Sequence, residues 1–201
     1  MPKPAIEWTG EDIYARRREL YARAAPVFRR QGYRGTTLKA LARACGLSIP
    51  ALYRYFPSKK AFALFPLAAL YPELQGPPPD MGGDPAALLS DWVEAAATEM
   101  PNYTLALRLA REVGWSADEQ RRVEANLRSH IEQIGAVARR AAPHLGTRAA
   151  DELASAMISA TVGPASTGLE ADPVALRRQL RALLRGYGVA VSKTRPTSAA
   201  P

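Results

Sequence analysis

The sequence predicts an all-α protein with a small basic head and a larger helical body. Three observations lead there. Apolar residues recur at helical spacing through nearly every long segment. No segment alternates apolar and polar residues as a half-buried strand does. Charge is unevenly placed: residues 1–60 hold thirteen Lys/Arg against four Asp/Glu, a net of +9, while the whole 201-residue chain carries +8. A basic footprint confined to one end is what nucleic-acid binding by that end requires.

Residues 1–9, with two prolines and no periodicity, read as an arm. A first helix is predicted from Thr9 or Gly10 to about Arg30, with Leu20, Ala24, Val27 and Phe28 as its inner stripe. Gly32, Tyr33 and Gly35 make a connection. In the next helix Leu38, Leu41, Ala42 and Cys45 fall at i, i+3, i+4 and i+7, one helical face. Gly46 ends it, as a glycine past a helix terminus does. Ser48 caps a short following helix whose first turn holds Ile49 and Pro50, where proline's missing N–H costs nothing. Leu52, Tyr53 and Phe56 continue its spacing. Two helices joined by a short glycine turn over about 37–56 form a helix-turn-helix, and Ala42 is small enough for the backbones to approach.

Ser58 caps a fourth helix predicted to about Leu70, kinked or broken at Pro66. The run YPELQGPPPDMGG, 71–83, is a loop. Further helices are predicted from Asp84-Pro85 to Met100, from Pro101 to Gly114, from Ser116 to Ala142, from Thr147 to Thr161 or Leu169 with a kink at Gly163-Pro164, and from Pro173 to about Ser192. The tail TRPTSAAP is read as disordered. The expected total is about nine helices, divided into a DNA-binding head (1–57), a helical body (58–192) and a tail (193–201).

The composition excludes several classes. A single cysteine rules out an internal disulfide framework, and Cys45, on an apolar helix face, reads as a small buried hydrophobe rather than a redox sensor. No leader-like apolar region opens the chain, and no run approaches the ~18 apolar residues of a membrane span, so a cytoplasmic protein is expected. His130 and His144 are isolated. No Cys/His cluster offers a metal site, and Gly82-Gly83 lacks the strand that a phosphate-cradling loop needs. Asp118-Glu119 and Asp151-Glu152 look like helix-start charges. No catalytic residue, cofactor or metal is expected.

Residues 13–65 resemble the N-terminal domain of the TetR family of bacterial transcriptional regulators. The resemblance rests on Ala24-Ala25, Phe28, Gly32, Thr36-Thr37, Leu41-Ala42, Gly46-Leu47-Ser48, Leu52-Tyr53, Tyr55-Phe56 and Ser58-Lys59. Pro50 departs from the pattern where glycine is common, and Lys60 where an acidic residue is common. Lys60 puts a cation near a helix N-terminus, which the dipole disfavours unless a neighbouring phosphate offsets it.

The resemblance implies that the second helix of the motif enters the DNA major groove. Carried over by position, it places Thr36, Thr37 and Lys39 near the start of the motif's first helix, Ser48, Ile49, Pro50 and Ala51 at the opening of the recognition helix, Tyr53, Arg54 and Tyr55 along the groove wall, and Lys59 on a phosphate. The chemistry is consistent: hydroxyls and ammonium groups hold phosphates, the Arg54 fork fits guanine O6 and N7, and Ile49 and Ala51 suit thymine methyls. Phe56 is read as core, and Tyr53 as a packed ring with its hydroxyl on a phosphate.

The resemblance further implies a small effector in the body and a homodimer through the last two helices, about 147–169 and 173–191. Met157, Ile158 and Val162 make one apolar stripe there; Leu176, Leu180, Leu183, Leu184 and Tyr187 make another. Trp92, Met100, Tyr103, Leu107 and Trp115 are candidates for an apolar ligand site, with Glu94, Glu99, Arg108 and Glu112 as polar anchors or solvated residues. The expected function is a ligand-responsive regulator, a repressor released from a palindromic double-stranded operator by a largely apolar molecule. The alternative is a helical carrier or enzyme with no specific DNA target.

Overall fold

The computed structural model describes residues 10–67, 82–167 and 172–190. Among them are eight α-helices and no strand. The expected arm, most of the 71–83 loop, the far end of the fourth helix and the tail lie outside the described residues. Two compact units divide the chain: residues 1–79 with 105–123, and residues 80–104 with 124–201. Division by packing thus differs from the expected division by role, since the unit holding the head also takes in 105–123.

In the first unit, helix α1 (Gly10–Gly35) runs past its expected end at Arg30 and is broken at Gly32 (φ 65°, ψ −176°). Pro26 lies inside it on the exposed side. Leu20, Ala24, Val27 and Phe28 are buried as the spacing predicts. Their burial outweighs the roughly 3 kcal/mol that an interior proline costs. Helices α2 (Leu38–Cys45) and α3 (Ile49–Tyr53) form the helix-turn-helix. Thr37 caps α2, accepting from the Ala40 N–H, and Gly46 in the left-handed region ends it, with the Leu47 N–H on Ala42 O at 2.9 Å. The Ser48 hydroxyl accepts from the Ala51 N–H at 3.3 Å. Helix α4 (Lys59–Ala63) is capped by Ser58 and is shorter than expected.

An aromatic cluster holds these helices together. Phe56 stacks on Phe62 with centroids 4.1 Å apart, Phe28 meets Phe62 edge-on, and Phe65 meets Tyr14, Tyr21 and Phe56. Phe56 is therefore core, as expected. Cys45 is buried in the same cluster. Its Sγ lies 3.4 Å from Leu20 O, and burial pushes its thiol pKa up to about 11, which makes it inert as a nucleophile.

Two expected helices prove to be one. Helix α5 (Pro85–Val113) carries Pro101 in its interior. Proline reads equally well as a helix start or an interior residue; here buried residues on both sides of it (Val93, Ala97, Met100, then Leu105 and Leu109) keep the helix going. Helix α6 (Ala117–Ala141) follows the cap at Ser116, whose Oγ accepts from the Glu119 N–H. Helix α7 (Thr147–Thr167) runs past Thr161, the earlier of its two expected ends, and through Gly163-Pro164. Helix α8 (Pro173–Gly186) is capped by Asp172.

The second unit packs part of α5, most of α6, α7 and α8 around Leu89, Val93, Met157, Leu176, Leu180 and Leu184. At Gly135 a Cβ would lie 2.6 Å from an Asp151 oxygen and 3.6 Å from the Ala150 backbone. Glycine there lets α6 lie close against α7. Glu94 accepts from Arg177 (2.7 Å) and Arg181 (3.0 Å), tying α5 to α8.

Gly32 occupies a backbone region open essentially to glycine alone, and a Cβ there would lie 2.9 Å from a Glu112 oxygen. Gly32→Ala is expected to cost about 1–3 kcal/mol, read by denaturant unfolding. A change within about 0.5 kcal/mol, as for a neutral surface substitution, would contradict this account of the break.

Candidate nucleic-acid interface

The outer side of the helix-turn-helix is polar, exposed and anchored from behind. On α3, Ile49 is 37% and Tyr53 46% exposed, and Ser48, Pro50 and Arg54 are exposed beside them. Ile49 and Tyr53 both lie on the same five-residue helix. Ala51 and Tyr55 are partly covered, and Tyr55 packs against the aromatic core. Thr37 and Lys39 are exposed at the start of α2.

Three ties fix this surface. Arg17 Nε on α1 donates to Tyr55 O at 3.0 Å, just beyond α3. The Glu112 carboxylate accepts from the Tyr33 N–H at 2.8 Å and from the Arg34 N–H at 3.4 Å, immediately after the Gly32 break. Lys59 Nζ donates to Tyr33 O and Thr36 O, both at 2.9 Å, and sits 4.2 Å from the Tyr33 ring centroid.

Two of the expected DNA contacts, Thr36 and Lys59, have partners within the protein. Thr36 is 1% exposed, and its hydroxyl donates to Gly32 O at 2.6 Å. It closes the turn and has no free face. Lys59 donates to two carbonyls and lies over a ring, so it fastens the α1–α2 connection to α4. Lys60, the residue out of pattern, is balanced by protein: Nζ lies 2.6 Å from Glu119 Oε1. Burial pushes the Glu119 carboxyl up, but hydrogen bonds from Lys60 and the Ser116 N–H outweigh it and leave it below the usual carboxylate range.

The expected ligand-site residues are divided between the two units. Met100 is buried and Trp92 partly buried in the core of the second unit, whereas Trp115 packs against the core of the first. Tyr103 and Leu107 are partly buried and belong to neither core. The four possible polar anchors all have protein partners: Glu94 holds Arg177 and Arg181, Glu99 accepts from Asn102, Arg108 donates to Arg29 O, and Glu112 holds the Gly32 break. Glu112 holds a backbone turn that its own sequence neighbourhood does not reveal. Among the described residues no group of three His, Cys, Asp or Glu could hold a metal ion, and no helix is long and apolar enough to cross a membrane.

Residues 20–64 match the family model of bacterial regulatory proteins of the tetR family. The whole helix-turn-helix lies inside that match. No curated protein matches the chain, but solved structures share its fold. The TetR family transcriptional regulator PfmR from Thermus thermophilus is 23% identical, with a TM-score of 0.52 over 83% of this chain and 97% of that one. The transcriptional regulator FadR from Bacillus subtilis, in complex with stearoyl-CoA, is 15% identical, with a TM-score of 0.50 over 84% of this chain and 98% of that one. The TetR-like architecture therefore extends beyond the head.

The geometry separates fastening residues from reading residues. Lys59→Met removes the Nζ donor from Thr36 O and one of two donors from Tyr33 O, which keeps the Thr36 N–H, and is expected to cost about 1–3 kcal/mol of stability, seen as a lowered melting temperature. Arg54→Ala is expected to leave the melting temperature in place while weakening specific DNA binding by about 1–3 kcal/mol, if Arg54 meets a base edge. The reverse pattern would mean that the two roles are exchanged.

Proposed function

We propose that the protein is a homodimeric transcriptional repressor that binds a palindromic operator and is released from it by a small, largely apolar effector. The observation that carries the DNA-binding part is the exposed face of α3, with Ile49, Pro50, Tyr53 and Arg54 presented on a firmly tied helix-turn-helix within a segment, residues 1–60, of net charge +9. An Arg fork, a hydroxyl-bearing ring and an aliphatic side chain side by side suit base edges, phosphate and thymine methyls. Thr37, Lys39, Ser48 and Ala51 complete the proposed surface, with Tyr55 behind it.

Residues 1–57 are proposed as the DNA-binding domain and 58–192 as the effector-binding and dimerising domain. Support for dimerisation through α7 and α8 comes from what their core faces leave over. Met157, Leu176, Leu180 and Leu184 are spent inside the unit, while Val174 is 69% exposed and Ser159 and Ala182 are small and exposed. A second copy could approach such faces closely, in a self-complementary contact. The fold's capacity for an apolar effector is supported by the stearoyl-CoA held in the Bacillus subtilis regulator. Such a ligand lowers DNA affinity only as far as it binds the DNA-incompetent state better. Both α5 and α6 have residues in each unit, and they carry Glu112 and Glu119, the carboxylates that hold Tyr33 and Lys60.

The test is selection of bound sequences from a random duplex pool by the purified full chain at about physiological salt. Enrichment of a palindrome is expected. A folded protein that enriches nothing would overturn the regulator reading.

A further inference from the structure

Behind the recognition helix the first unit has a second feature: an open groove between the C-terminal part of α1 and the outer face of α2. Arg30 and Gln31 line it from α1; Thr37, Lys39 and Arg43 line it from α2. The floor is Val27, Ala40 and Ala44, small or apolar groups over which a chain can lie close. Three of the lining residues are cations and none is a carboxylate. Two other cations on α1, Arg16 and Arg23, are by contrast both paired with Glu19. Arg30, Lys39 and Arg43 are exposed.

We propose that this groove is a phosphodiester-binding site that grips one DNA strand beside the recognition helix, with Arg30 and Arg43 as backbone contacts outside the helix-turn-helix's reading surface. The inference rests on the DNA-binding reading and extends it to residues that neither the motif nor its spacing pointed to. In helix-turn-helix complexes the first helix crosses the DNA backbone, which brings a strand over the outer face of α2. Lys39 and Arg43 stand one turn apart on that face, about 6 Å along the axis, so they meet neighbouring phosphates. Arg30 extends the line of charge from α1. Thr37 Oγ1 accepts from the Ala40 N–H at 3.1 Å, and its own proton remains free to donate. Such contacts supply affinity and register but no sequence information.

The signature is therefore in the salt dependence. Each phosphate contact adds about 0.9 to the slope of log K against log salt. The full-length protein, Arg30→Gln, Arg43→Gln and the double variant are titrated with the selected duplex and with a scrambled duplex at several salt concentrations, with Arg178→Gln on α8 as a surface control. Each groove variant is expected to lower the slope by about 1 and the double by about 2, with the ratio of specific to scrambled affinity unchanged. Arg43→Lys is expected to keep the wild-type slope, because charge rather than fork geometry matters, and it guards against a folding defect. An unchanged slope in both single variants, or a loss confined to the selected duplex, would overturn the proposal. If the wild type does not prefer the selected duplex but the slopes still fall by about 1, the groove stands and the regulator reading fails.

Discussion

The head depends on one constraint: the chain must turn sharply at Gly32, near the end of α1, and a carboxylate from elsewhere must complete the turn. Gly32 leaves the helix in a conformation that other residues avoid, and the following N–H groups lose their helical acceptors. Glu112 supplies an acceptor for Tyr33 at 2.8 Å. Thr36 returns its hydroxyl to Gly32 O, and Lys59 takes Tyr33 O and Thr36 O. Donors and acceptors of one short connection are thus satisfied from α5, from the turn itself and from α4. Since α2 starts directly after this connection, its direction, and through the Gly46 turn that of α3, follows from it.

The constraint divides the basic residues of the head into two populations. Some are consumed by structure: Arg17 on Tyr55 O, Lys59 on the α1–α2 connection, Lys60 on Glu119. Others, including Arg30, Lys39, Arg43 and Arg54, stand exposed. Net charge counts both alike, yet only the second population bears on a polyanion. The +9 of residues 1–60 therefore overstates their phosphate contacts, and salt dependence is the quantity that counts the effective ones.

The sequence made the helix-turn-helix legible because its signals are local. The face of Leu38, Leu41, Ala42 and Cys45, the left-handed Gly46 and the Ser48 cap act within a few residues of one another, and each appears as read. Exposure of Ile49, Pro50 and Arg54 follows from the same periodicity. Long-range pairings left no such trace. Nothing near Glu112 shows that its partner lies 79 residues away, and nothing near Gly135 shows the approach of Ala150. Pro101 was ambiguous because packing on both sides decides between a helix start and an interior proline. Trp115 looked like a companion of Trp92 by size and spacing, but α5 and α6 each contribute to two cores. One signal was present and can be used elsewhere. Lys59 and Lys60 occupy the first turn of α4, where the dipole disfavours cations; both proved to have partners that outweigh it.

The account's central claim is that the Glu112 carboxylate, rather than the motif alone, fixes the helix-turn-helix. Residue-resolved amide hydrogen exchange on the wild type and Glu112→Ala tests it most directly. The claim predicts a protected Tyr33 amide in the wild type, and in the variant faster exchange at Tyr33 and through α2 and α3, with α7 and α8 unaffected. Protection of α2 and α3 that is the same in both proteins would contradict it.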